Sequence, residues 1–191
     1  MVKISNFKFQ LVLLACLFAL YSCDKVEDAT KTEIPAFSAS IELDDIIVSA
    51  TKSTADDDLI NFSASQVVKL EDIDGISEDA IKYRSNIESV SVGSASVLIT
   101  TTDSVGTVVK EFKLSATDIS SSINITEYEL GTTHTADLEN LQTFCNQLFM
   151  KLFSSDSGVK ISTSGLTDIT SGEKLKVTIT MENITLIASL L

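Results

Sequence analysis

The sequence predicts a mainly β, α+β domain: an antiparallel β-sandwich or barrel with one amphipathic helix, about residues 136–153, packed on it. Three observations lead there. Apolar residues alternate with small or polar ones in several short runs, as in half-buried strands. One longer segment switches to i, i+3, i+4 apolar spacing, the mark of a helix with a single buried face. Gly, Ser and Asp clusters separate the runs at hairpin-like distances.

In chain order, Lys3 and Lys8 come first, followed by eleven residues, Leu11 to Tyr21, whose only polar side-chain group is the tyrosine hydroxyl. A basic start, a short apolar run and the small Ser22 describe a secretory signal over residues 1–22. The run is too short to span a bilayer, which takes about 20 apolar residues. Leu20-Tyr21-Ser22-Cys23 resembles a bacterial lipobox. The resemblance implies that Cys23 is acylated and becomes the new N-terminus, which makes the chain an outer-membrane lipoprotein. Stable anchoring needs two signals, and the two or three acyl chains of that family supply them.

Residues 23–33 (CDKVEDATKTE) read as a polar tether, and residues 34–191 as one β-rich domain. Asp24, Glu27 and Asp28 resemble the acidic surface-export signal of Bacteroidetes-type lipoproteins, which implies an outward-facing address. The first strand carries Phe37, Ala39, Ile41 and Leu43 on one face, with Pro35 at its start, where a missing N–H does least harm. Ile60, Phe62 and Ala64 repeat the alternation after the acidic turn Asp56–Asp58. Ser77 to Asn86 reads as one short helix, with Ser77 as its cap and Glu78 and Asp79 in its first turn. Val97–Thr101 and Thr107–Leu114 flank the hairpin connection Asp103-Ser104-Val105-Gly106, and Ile123 and Ile125 open another strand.

The main helix follows, with Thr135 to cap it and Asp137 and Glu139 at its positive end. Leu138, Leu141, Phe144, Cys145, Leu148, Phe149 and Leu152 form its apolar stripe. Beyond Gly158 lie a strand at Val159–Thr163 and another through Leu175, Val177, Ile179 and Met181. The apolar segment Ile184–Leu191 ends the chain, either tucked into its own fold or donated to a neighbour.

Composition restricts function. Without Lys3 and Lys8, 12 basic residues face 27 acidic ones, so the net charge of −13 becomes −15. Such a chain is no partner for nucleic acid. With Cys16 removed and Cys23 acylated, Cys145 is the remaining thiol, so no internal disulfide can form. The stripe makes Cys145 a buried small hydrophobe rather than a nucleophile. His134, the only histidine, sits in a helix-entry loop and supports no zinc cluster or triad. Leu70-Glu71-Asp72-Ile73-Asp74-Gly75 fails the EF-hand register, because Leu70 and Ile81 stand where carboxylates are required. A looser Ca²⁺ site at Asp72, Asp74 and Glu78 remains as a candidate, and no other cofactor is implied.

Asp103-Ser104-Val105 resembles the D-(S/T)-apolar O-glycosylation sequon of Bacteroidetes-type exported proteins, which makes Ser104 a candidate acceptor. Asn61-Phe62-Ser63, Asn124-Ile125-Thr126 and Asn183-Ile184-Thr185 match the eukaryotic N-sequon, but each overlaps an expected strand and the bacterial lipobox speaks against their use. The expected function is a lipid-anchored, non-enzymatic binding or structural module for a glycan, peptide or protein partner. Two alternatives stand beside it. The first is a fimbrial subunit, since the lipobox, β-rich body and apolar last strand resemble Bacteroidetes lipoprotein pilins that assemble by strand donation. The second is a carboxylate-dependent glycan hydrolase using a pair such as Asp44/Asp45.

Overall fold

The computed structural model describes residues 30–52, 59–101, 108–134, 138–169 and 171–190, leaving aside the side chains of 49–52, 134, 138 and 139. Cys23, Ser104, the acidic run Asp56–Asp58 and the cap Thr135 lie outside the described residues. The strands are β1 (Lys31–Lys52), β2 (Ile60–Val68), β3 (Ile87–Thr101), β4 (Val108–Ala116), β5 (Ile123–Glu129), β6 (Thr133–His134), β7 (Val159–Thr167) and β8 (Lys174–Ser189). They form one curled antiparallel sheet in the order β5-β4-β7-β2-β1-β8-β3-β6. The helices are α1 (Glu78–Lys82) and α2 (Leu138–Ser154). The mainly β architecture with one principal helix is the one the sequence patterning called for.

Three elements differ from expectation in extent. β1 begins at Lys31, so it takes the last three residues of the expected tether. The expected helix over Ser77–Asn86 is split: α1 is capped by Ser77, whose Oγ accepts from Ala80 N at 3.5 Å, and Arg84–Asn86 forms a separate 3₁₀ turn. The last two apolar runs are a single strand, β8, lying between β1 and β3 and hydrogen-bonded to both. Ile184, Leu186 and Ala188 are fully buried there, so this segment is already paired within its own chain.

Long strands become a curled sheet by bending, and three bends share one device. Asp45 in β1, Glu111 in β4 and Asn183 in β8 have φ of 58°, 51° and 52°, each at a break in strand register. Such bulges add a residue to one strand and sharpen the local twist. At its bend β1 changes partner, pairing with β8 from Lys31 to Ile47 and with β2 from Val48 onward. Across from the third bend stands Gly93, where an added Cβ would lie 2.8 Å from Asn183 Cβ. A side chain at 93 would press on a bulge that already holds an L-residue at positive φ.

The curl brings the two edge strands together. Leu130–Thr132 leads directly from β5 to β6 at the opposite edge. Ile99 N in β3 donates to Tyr128 Oη of β5 at 2.9 Å, Gly131 N donates to Ile99 O at 2.9 Å, and the tyrosine hydroxyl donates to Thr132 O. Burial raises the Tyr128 phenol pKa, which keeps it a neutral donor. α2 covers the seam. Its buried face, Leu141, Phe144, Cys145, Leu148, Phe149 and Leu152, enters the common core. Its polar side ties both flanks: Val92 N donates to Asn146 Oδ1 at 2.8 Å, Gln142 Nε2 donates to Gly93 O, and Ser121 Oγ donates to Gln147 Oε1 at 2.9 Å. An open sheet edge invites pairing with another chain, and the helix occupies that edge of β3.

Candidate functional site

The bulge in β4 has a consequence on the outside of the sheet. Glu111 sits there with an exposed side chain, beside an outer groove of about 490 Å³ lined by Asn61, Phe62, Ser63, Glu111, Ser164, Gly165 and Leu166. The groove crosses β2, β7 and β4, which are neighbours in the sheet. β2 and β7 run in continuous register here, with Asn61 opposite Leu166 and Ser63 opposite Ser164. Gly165 is opposite Phe62, and an added Cβ would lie 2.8 Å from Phe62 Cζ. The glycine therefore leaves room for the buried Phe62 ring against β7. Carboxylate, amide and hydroxyl groups line it, with Leu166 as the aliphatic contact. That set offers hydrogen-bond donors and acceptors at the surface.

Helix α2 carries two further clefts. One of about 500 Å³ runs between the helix and the turn before β5, lined by Asp118, Ser120, Asn146, Gln147, Met150, Lys151 and Ser154. Lys151 Nζ and Asp118 Oδ2 form an ion pair across it at 3.1 Å. The other, about 390 Å³, lies beyond Met150 beside the Arg84–Asp156 pair. The single arginine is thus already engaged with a carboxylate.

The residues singled out from the sequence fall as follows. Asp72, Asp74 and Glu78 are all exposed, and each is placed by the backbone for a different local reason. Asp72 Oδ2 accepts from Lys69 N at 2.9 Å, closing the 3₁₀ turn Leu70–Asp72. Asp74 is in an isolated bridge with Ser40, its N donating to Ser40 O at 3.1 Å. Glu78 opens α1. Among the described residues, no three His, Cys, Asp or Glu side chains gather as a metal-ligand group. Asp44 and Asp45 are engaged by lysines, Lys174 on Asp45 and Lys176 at 3.7 Å from Asp44. His134 pairs through its backbone with Val97.

Cys145 is fully buried on the inner face of α2, and burial pushes its thiol up to about 12 from the usual 9.0. A thiol with a raised pKa stays neutral in the fold and is a poor nucleophile. The linkage sign follows. The folded state keeps the proton that the unfolded chain releases near pH 9, so this contribution is intact below pH 9 and lost as pH rises towards 12. We expect Cys145 to react slowly with a thiol reagent in the native state and fast in denaturant. Cys145→Ser should lower stability by about 1–3 kcal/mol through a buried hydroxyl. Fast native labelling in a folded sample would show that the thiol is reachable.

Sequence reasoning missed Glu111 as a site residue, although a signal was present. Val109 and Phe112 face inward three residues apart, with Lys110 and Glu111 between them, which breaks the strict alternation of a strand. Among the described residues, no helix is long and apolar enough to cross a membrane.

No family model and no curated protein matches this chain. Among solved structures, one of Desmodium yellow mottle tymovirus is similar at 13% identity and a TM-score of 0.35, covering 83% of this chain and 91% of the other. One of Turnip yellow mosaic virus is similar at 11% identity and 0.34, covering 83% and 96%. One of Israeli acute paralysis virus is similar at 10% and 0.29, covering 85% and 76%. Likenesses with identities and TM-scores this low assign neither family nor function.

Proposed function

We propose that this chain is a lipid-anchored protein of the bacterial outer envelope whose β domain is a non-enzymatic binding or structural module for a glycan, peptide or protein partner. The observation that carries the binding part is Glu111, held at φ 51° on the rim of the outer groove. A non-glycine residue in that region costs about 1–3 kcal/mol, and such strain collects where a ligand is met. The bulge presents the exposed Glu111 side chain at the rim of the groove. The groove's amide, hydroxyl and carboxylate groups suit a polar partner, and the lipobox-like Leu20-Tyr21-Ser22-Cys23 supports the anchor.

The test joins anchor and groove. Cells fed an alkyne fatty acid should label the wild-type chain and not Cys23→Ala. A glycan array and a pull-down from envelope extract should then be run with wild type and Glu111→Gly. The glycine variant is expected to melt at the same or a higher temperature while losing the wild-type partner. Equal labelling of Cys23→Ala removes the anchor. Retention of every wild-type partner by Glu111→Gly removes the groove.

A further inference from the structure

We propose that the gap between β1 and β2 is a subsite for an uncharged, hydroxyl-rich ligand, the edge of one sugar ring. The inference rests on the binding-module reading and adds a second place and a ligand class to it. β1 and β2 are paired between Val48↔Phe62 and Lys52↔Ile60, and then β1 turns away at the Asp45 bulge to join β8. Where the strands part, a cavity of about 140 Å³ lies between Leu43–Ile46 of β1 and Ala64–Gln66 of β2, with Ile161 and Thr163 of β7 also lining it. At roughly 30 Å³ of liquid volume per water, that is room for four or five waters or part of one ring.

Two independent observations point to a ligand of this class. Thr163 is 4% exposed, and its Oγ1 has no hydrogen-bond partner among the described residues. A buried hydroxyl without a partner is costly, and a threonine in place of the isosteric valine wants a reason. The second observation is the charge state around the cavity. Lys174 pairs with Asp45, while Lys176 lies 2.6 Å from Glu42 and 3.7 Å from Asp44. The hydrogen bond to Glu42, joined by the charge of Asp44, raises the Lys176 pKa, so the ammonium stays charged beside the carboxylates. With the acidic pair already matched by lysines, a metal cation would meet two ammonium groups. A neutral ligand meets no such opposition. The carboxylates of Asp44 and Asp45 accept from hydroxyls, Gln66 and Ser65 both donate and accept, and Leu43, Ile46, Ala64 and Ile161 offer aliphatic surface to ring C–H groups.

The outer groove uses Asn61–Ser63 of β2 and Ser164–Leu166 of β7, and the cavity takes the next residues of both strands.

The experiment is a titration of the full chain, isotope-labelled and held in a non-glycosidic detergent, with glucose, galactose and mannose in turn, followed by amide NMR shifts. Shifts are expected at Asp44–Ile46, Ala64–Gln66 and Thr163 with at least one hexose. Thr163→Val should weaken that binding by about tenfold or more, the worth of a good hydrogen bond. The same variant should melt no lower than wild type, because it removes an unpartnered hydroxyl, which separates a ligand contact from a structural role. Lys151→Ala, whose ion pair with Asp118 lies on α2, should leave this titration unchanged. Shifts confined to the outer groove overturn the subsite and leave the binding-module reading in place. Shifts at the cavity with no partner found on the array or in the pull-down keep the subsite and count against the outer groove. No shifts with any of the three sugars, unchanged binding by Thr163→Val, or the same amides moving with calcium chloride instead would each overturn the proposal.

Discussion

Deleting residues 184–191 is expected to unfold the domain outright. The segment holds the C-terminal end of β8, Ile184–Ser189, which lies inside the sheet and pairs with β1 at Lys31–Phe37 and with β3 at Ile87–Val92. Ile184 and Leu186 are fully buried, and burying each such side chain is worth about 1.5–3 kcal/mol. Removing the strand also strips hydrogen-bond partners from both neighbours and exposes Ile34 and Val92, now buried beneath it. The combined loss is comparable to the whole stability of a typical domain, about 5–15 kcal/mol. Circular dichroism and size-exclusion chromatography check it: loss of a cooperative melt, or aggregation, is the expected result. A truncated chain that stays folded and monomeric would mean that this end of β8 does not lie inside the sheet in solution.

Much of this fold was legible in the chain because half-buried strands and a one-faced helix leave local periodicities. The stripe through Leu141, Phe144, Cys145, Leu148, Phe149 and Leu152 is buried on α2, and the structure adds Phe153 to it. The three bulges were legible in principle. In Leu43-Asp44-Asp45-Ile46, Val109-Lys110-Glu111-Phe112 and Met181-Glu182-Asn183-Ile184, buried residues stand three apart around two polar ones, and the second polar residue takes positive φ in each case. That pattern is local, and it marks where a strand inserts an extra residue. What was not legible is which strands the bends bring together. β1 changing partner, Tyr128 reaching Ile99, and Thr163 facing the gap between β1 and β2 all depend on contacts far apart in sequence. Function was less legible still. The outer groove draws on β2, β4 and β7, and no single stretch of sequence carries its lining.

Phe149→Ala should be the most damaging single substitution on α2, costing about 3–5 kcal/mol. Phe149 is fully buried at the seam, and its ring centroid lies 5.9 Å from that of Phe153 at an interplanar angle of 53°, a favourable tilted arrangement. Alanine would forfeit both the apolar transfer energy and that ring contact, and it would leave a cavity that the surrounding strands can only partly close. At about 2–4 °C per kcal/mol for a chain of this size, the melting temperature should fall by roughly 10 °C. Lys151→Ala, two residues away, is the control. Its ion pair with Asp118 is half-exposed and screened by solvent, so its loss is expected to cost about 0–1 kcal/mol. The contrast separates two accounts of how the helix is held. If packing of the inner face closes the seam, Phe149→Ala destabilises far more than Lys151→Ala, and partial loosening of α2 also uncovers the edge of β3, so the variant should self-associate as it is warmed. If the two variants melt together, the helix is held by its polar clasps to Gly93, Val92 and Ser121 rather than by its buried face, and the sheet would remain curled without it.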